Sequence, residues 1–265
     1  MDGDEILESA EQIFNSGYAK ALESTTELTN VTGSYSMFST AFHILEGVGL
    51  ALLLLYFLYG LVQEASKDSF TLDHLFKKLV YVAVAGLLIT NSVGISSEIV
   101  RFGNSVATQI SSGFNTEEDK AVTAKWENDE EPGFIKRMLV SITITIFNFI
   151  SFGFYIVASF QIFSRYIELM VRGAFLPLAI GDIFGGGAMH GERYLRKYLA
   201  VALQAGVMIM CCYAGGYLFG EKLGGEFIVN SKDWLTTLGT YFIVQVAVIG
   251  AMGKSIQICN DICGC

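Results

Sequence analysis

Arg165, Glu168 and Arg172 fall at i, i+3 and i+7 in "SRYIELMVRGAFLPLAIGDIF", a spacing that puts a charged ladder on one face of a helix. Ionisable groups beside long apolar runs are costly, and so are candidates for subunit contacts, a pore mouth or a charge path. Pro177 interrupts the hydrogen bonding that follows, and Gly185, Gly186 and Gly187 permit a sharp reversal as a backbone hinge. "GERYLRKYL" then begins a new helix carrying Arg193, Arg196 and Lys197. The stretch 164–197 is too apolar around Phe175 to Ile183 for a soluble loop and too charged and broken for a simple span. It reads as a helical hairpin that dips back into a membrane or lies along its face, where irregular backbone survives only if protein or water covers it. Small-residue pairs one turn apart (Gly47 and Ala51, Ala202 and Gly206, Cys212 and Gly216) fit close helix contacts. Together with the broken segment they point to a homo-oligomer.

A second polar pair lies at membrane depth. His43 and Glu46 are three apart on one helical face, where they can serve a proton or ion path, or sit at the interface at small cost. Asn148, Gln161, Gln204 and Gln245 read as interhelical hydrogen-bonding and packing residues. His190 with Glu192 suggests acid–base work, yet the chain has 3 histidines and no carboxylate pair in a defined pocket. The sequence contains no H-E-x-x-H, no G-x-S-x-G and no Walker A motif. Cys211 and Cys212 are small apolar fillers of a span. Cys259, Cys263 and Cys265 form C-x3-C-x-C without a nearby histidine, which reads as inert or lipid-modified thiols rather than a metal site. The expectation is a protein that is not an enzyme and takes no cofactor and no metal.

Composition names the setting for these residues. Hydrophobic residues make up 52% of 265 and charged ones 16%, against about 25% charged in soluble domains; the mean hydropathy is +0.48. This is a polytopic membrane protein, all-α, with about five transmembrane helices. The apolar runs are Met37–Val62, Leu79–Ile95, Met138–Phe163, Tyr198–Phe219 and Trp234–Ile258. Residues 1–36 form an acidic, amphipathic segment with Ile6, Ala10, Ile13, Phe14, Ala21 and Leu22 at helical spacing, docking on protein and unlike a secretory leader. Residues 37–95 hold spans one and two. Residues 96–137 comprise a surface helix (Ile99, Phe102, Val106, Ile110) and an acidic loop that reads as solvated for most of its residues, or as a contact site in which Trp126 anchors an extracytoplasmic partner. Residues 138–220 carry spans three and four with the broken hairpin between them, and 221–265 an outer loop, span five and the cysteine-rich end. Basic residues packed close to span ends favour an outward N-terminus and a cytoplasmic C-terminus.

"SRYIELMVRGAFLPLAIGDIF", "RYLRKYLAVALQAGVMIM" and "KKLVYVAVAGLLITNSVGI" resemble the TrbL-like polytopic inner-membrane subunit of conjugative type IV secretion systems, in the form carried by conjugative elements of Gram-positive bacteria. The resemblance covers Lys77 to Ile95 and Ser164 to Tyr213, close to a third of the chain. It implies a non-enzymatic channel or platform subunit of the cytoplasmic membrane, supporting DNA or protein transfer or pilus assembly. It also implies partners: a bitopic scaffold protein, cytoplasmic ATPases, membrane lipid and a transient DNA or nucleoprotein substrate. Arg172, Pro177, Arg193 and Arg196 carry over as structural and assembly contacts. A small-ion or holin-like pore is the rival reading. A secondary transporter is disfavoured by the lack of a matching broken helix in a second repeat.

Overall fold

The computed structural model describes residues 3–14, 35–66, 72–114, 123–127, 133–184, 188–223, 226–229 and 231–265. Eight helices dominate: α1 (residues 3–14), α2 (Tyr35–Ala65), α3 (Leu72–Thr90), α4 (Ser92–Phe114), α5 (Phe134–Ala174), α6 (Leu176–Phe184), α7 (Ala188–Leu223) and α8 (Trp234–Cys263). Among the described residues four helical stretches are long and apolar enough to cross a membrane: Thr40–Gln63, Phe134–Ala174, His190–Leu218 and Trp234–Cys263. An α-helix satisfies all its backbone groups internally, which hydrocarbon requires. The chain is a helical, multi-pass membrane protein. Over half (56%) of the most apolar window of α7 is buried within the protein, whereas α5 presents long apolar side chains outward, Phe149 and Phe160 among them.

The run expected as the second span, Leu79–Ile95, is bent. α3 and α4 meet at 65° and only together pass as one span. The break falls at Asn91, which closes α3 by donating its N–H to Leu87 O and opens α4 by accepting from Ile95 N–H. Its side-chain oxygen folds over Gly94, 2.7 Å from where a Cβ would stand. Asn favours this helix-capping position because a short polar side chain competes for backbone donors.

The chain forms two compact units, each assembled from three separate stretches. The first contains residues 1–29, 106–164 and 205–255. The helical fold expected from the sequence carries one short addition: Thr123–Trp126 (β1) and Glu226–Val229 (β2) pair as a parallel two-stranded sheet, with Thr123 opposite Glu226 and Trp126 opposite Val229. Both strands alternate exposed and buried residues. Ala124 and Trp126 from β1, and Phe227 and Val229 from β2, enter a core with Ile6, Ile13 and Phe14 of α1. Val140, Ile144, Leu238 and Tyr241 of α5 and α8 close that core. Glu11 accepts the Ala124 N–H at 3.0 Å, and Tyr241 donates its hydroxyl to Ile13 O at 2.6 Å. Trp126 is 6% exposed. It is a core residue of this unit and not an anchor held out to a partner. Ala21 and Leu22, read as part of the same amphipathic helix, lie outside the described residues.

The second unit contains residues 30–105, 165–204 and 256–265. α6 is its wedge. Leu176, Pro177, Ala179, Ile180 and Gly181 are all buried, and α6 packs on α2 and α3. Pro177 sits in the first turn of α6, where a missing N–H costs nothing. α2 crosses there at Gly49, whose absent side chain leaves room for the Pro177 carbonyl 2.9 Å from the Cβ position. α4 meets α7 in the same manner: a Cβ on Gly103 would fall 2.3 Å from Ala202 O. Phe102, expected on the packing face of α4, points outward at 53% exposure. The backbone surface of Gly103 makes that contact instead.

Candidate functional site

The charged ladder at the end of α5 divides into two environments. Arg165 is 4% exposed. Its Nε donates to Val201 O at 3.1 Å and its Nη2 to Ala202 O at 3.0 Å, both on α7. Among the described residues it has no carboxylate partner, so a buried cation is held by helix carbonyls alone. Carbonyl oxygens carry two lone pairs, so each accepts Arg165 beside its own helical N–H. Two turns on, Arg172 turns to Glu168, with Nε and Nη2 at 2.8 and 2.7 Å from the same oxygen, Oε1. The spacing placed the three residues on one face, and the structure separates Arg165 from the other two by burial.

Around this helix end the unit is tied by hydroxyls. Tyr194 of α7 donates to the Arg172 carbonyl at 2.6 Å, which joins the last turn of α5 to the first turns of α7. Deeper in, Tyr198, fully buried, shares a 2.6 Å hydrogen bond with Ser96 of α4. Both oxygens crowd Gly173, within 3.0 Å of a would-be Cβ. Residues at the ends of α5 and α6 and the start of α7 border a cleft of about 550 Å³. Its polar lining is Glu168, Arg172, Asp182, His190 and Tyr194.

The remaining predicted residues spread out. Pro177 is buried against α2 rather than open to a neighbour. Arg193 is exposed. Arg196 is half exposed, paired with Glu192 at 2.5 Å and reaching Gly264 O at 3.5 Å near the C-terminal cysteines. Gly185, Gly186 and Gly187 lie outside the described residues. His43 and Glu46 do meet, at 3.4 Å, with the imidazole 74% exposed, an arrangement that matches an interfacial pair better than an enclosed ion path. Among the interhelical amides, Asn148 donates to Ser9 O at 3.0 Å and Gln161 to Ile249 O at 3.4 Å. The proposed small-residue faces differ: Gly206 packs under Ile110, whereas a Cβ added at Gly47 or Gly216 would meet nothing from elsewhere in the described fold within 4 Å. Among the described residues no three His, Cys, Asp or Glu side chains converge as metal ligands.

Sequence reasoning missed Asp182 and the two tyrosines. Asp182 had a signal, a lone carboxylate in the apolar run "LPLAIGDIF". Tyr194 and Tyr198 had none beyond their place on a basic helix. Comparison with family models, with curated proteins and with solved structures finds no match to this chain.

Proposed function

We propose that this chain is a channel or platform subunit of a conjugative type IV secretion machine in the cytoplasmic membrane, working as a homo-oligomer and without catalysis of its own. The succession of α5, α6 and α7 supports this reading. A charged helix end, a buried Leu-Pro helix and a basic Tyr-Leu-Arg helix follow one another in the order that the resemblance implies. A broken segment of this kind belongs where protein covers it, and α6 is covered by α2 and α3. Exposed Arg193, half-exposed Arg196 and the open glycines Gly47 and Gly216 are then the contacts offered to neighbouring copies or to a scaffold protein and ATPases. In this reading the N-terminus faces outward, the C-terminal cysteines face the cytoplasm, and transferred DNA or nucleoprotein is the passing substrate.

The test is a mating assay in the strain that carries the gene. Deletion abolishes transfer, the intact gene restores it, and Arg193→Glu restores it poorly at normal protein level. Lys232→Glu, an exposed charge in a turn, serves as control. Undiminished transfer from the deletion strain refutes the role.

A further inference from the structure

We infer that the cleft between the end of α5, α6 and the start of α7 binds the headgroup of an ammonium-bearing phospholipid, of the phosphatidylethanolamine type. The cleft measures about 550 Å³, within the range of small-molecule sites. Its polar groups are incompletely used. Both bonds from Arg172 go to Glu168 Oε1. Glu168 Oε2 and Arg172 Nη1 are therefore left without a partner among the described residues. Asp182 is half-buried in the last turn of α6 and likewise has no hydrogen bond or ion pair among the described residues. A carboxylate there is opposed by the negative end of the helix dipole. That position is poor for an anion unless something cationic comes to it.

The chemistry of the lining selects the ligand. The lining holds two carboxylates, Glu168 and Asp182, against one guanidinium, so an anionic ligand meets excess negative charge while an ammonium group is attracted. A primary ammonium carries three N–H donors, and Asp182 and Glu168 Oε2 border the same cleft as acceptors for them. Arg172 Nη1, held in place by the Glu168 pairing, supplies a donor for the adjoining phosphate. The Tyr194 hydroxyl is already committed to Arg172 O and fixes the wall rather than the ligand.

The apolar half of the site points to a lipid rather than a soluble amine. Ile167 and Val171 of α5, and Phe175 just beyond its end, recur every four residues and are between 43% and 61% exposed. This stripe runs from the apolar span to the cleft, which Val171 and Phe175 border. An acyl chain lying on it places its own headgroup at the cleft. The inference rests on the multi-pass membrane architecture and is independent of any role in transfer.

The experiment uses the purified full chain in detergent. Phosphatidylethanolamine, phosphatidylcholine and phosphatidylglycerol of identical acyl chains are offered together and retained lipid is read by native mass spectrometry. Phosphatidylethanolamine is expected to be retained about tenfold over phosphatidylglycerol, the scale of one charge-assisted hydrogen bond. Phosphatidylcholine, whose quaternary nitrogen has no N–H, falls between them. Asp182→Asn, isosteric and uncharged, is expected to remove most of that preference with helix content unchanged by circular dichroism. Equal retention of the ethanolamine and glycerol lipids by the wild-type chain overturns the proposal, whatever the variant does. So does an undiminished preference in Asp182→Asn. Displacement of the lipid by free phosphoethanolamine as effectively as by the lipid itself overturns the acyl-chain half, and failure to displace supports it.

Discussion

Replacing Arg165 by methionine and, separately, by lysine separates its charge from its shape. The guanidinium makes two bonds to α7 carbonyls, each of a kind worth about 1.5–3 kcal/mol when the donor is charged. Against this stands the cost of burying a cation, several kcal/mol per ion even after relaxation. Methionine removes the bonds and the buried charge together. It strands no acceptor, because Val201 O and Ala202 O keep their helical partners, and its length fills most of the space. Lysine keeps the charge but cannot fork to two carbonyls, so it loses about one bond, roughly 1.5–3 kcal/mol. The expected order of thermal stability in detergent is therefore methionine equal to or above wild type, with lysine below both. Scanning fluorimetry on the purified variants reads this directly, and a mating assay on the same variants shows whether the charge itself is needed. A methionine variant that unfolds well below the lysine variant refutes the reasoning, since it means a counter-charge holds Arg165 in place.

Close helix approach gives a second prediction: Gly103→Ala, whose Cβ would lie 2.3 Å from Ala202 O, destabilises by about 1–3 kcal/mol through overpacking. Gly86→Ala, with open space around it, leaves stability unchanged or raises it by about 1 kcal/mol; equal melting of the two variants would contradict the packing of α4 on α7. Tyr241→Phe deletes the 2.6 Å bond to Ile13 O and costs about 0.5–1.5 kcal/mol, seen as faster limited proteolysis within α1. For orientation, a chain retaining only half-buried Cys265 is expected to resist an impermeant thiol reagent in intact cells and to label once they are permeabilised. Labelling in intact cells reverses the proposed topology.

The helices were legible in proportion to how locally their cause is written. Thr40–Gln63, Phe134–Ala174 and Trp234–Cys263 are apolar over enough consecutive residues that length and composition alone declare them. Asn91 was legible in principle, as a capping residue inside an apolar run, but a continuous hydropathy signal hides a bend. β1 and β2 were not legible, because "TAKW" and "EFIV" are short and pair across about a hundred residues. An acidic flank around Trp126 argued for solvent where tertiary packing put a core. For the site, spacing gave the face shared by Arg165, Glu168 and Arg172, and correctly neighboured Glu168 with Arg172. It could not say that Arg165 goes inward, because its acceptors are main-chain carbonyls and those carry no sequence signature.

The hydroxyl of Tyr241 and the carbonyl of Ile13 are 228 residues apart in the chain, and the distance has a consequence for biogenesis. At ribosomal rates of about 5–20 residues per second, α1 waits on the order of 10–45 s for the helix that completes its pocket. During that interval the apolar face of Ile6, Ala10, Ile13 and Phe14 has neither β2 nor α8 to pack against. β1 waits as well, since its partner β2 is made about a hundred residues later. Insertion of the first spans therefore precedes closure of the unit that contains the N-terminal helix. A chain arrested before Trp234 presents that helix as an uncovered hydrophobic surface, the kind of signal by which quality-control proteases recognise an unfinished membrane protein.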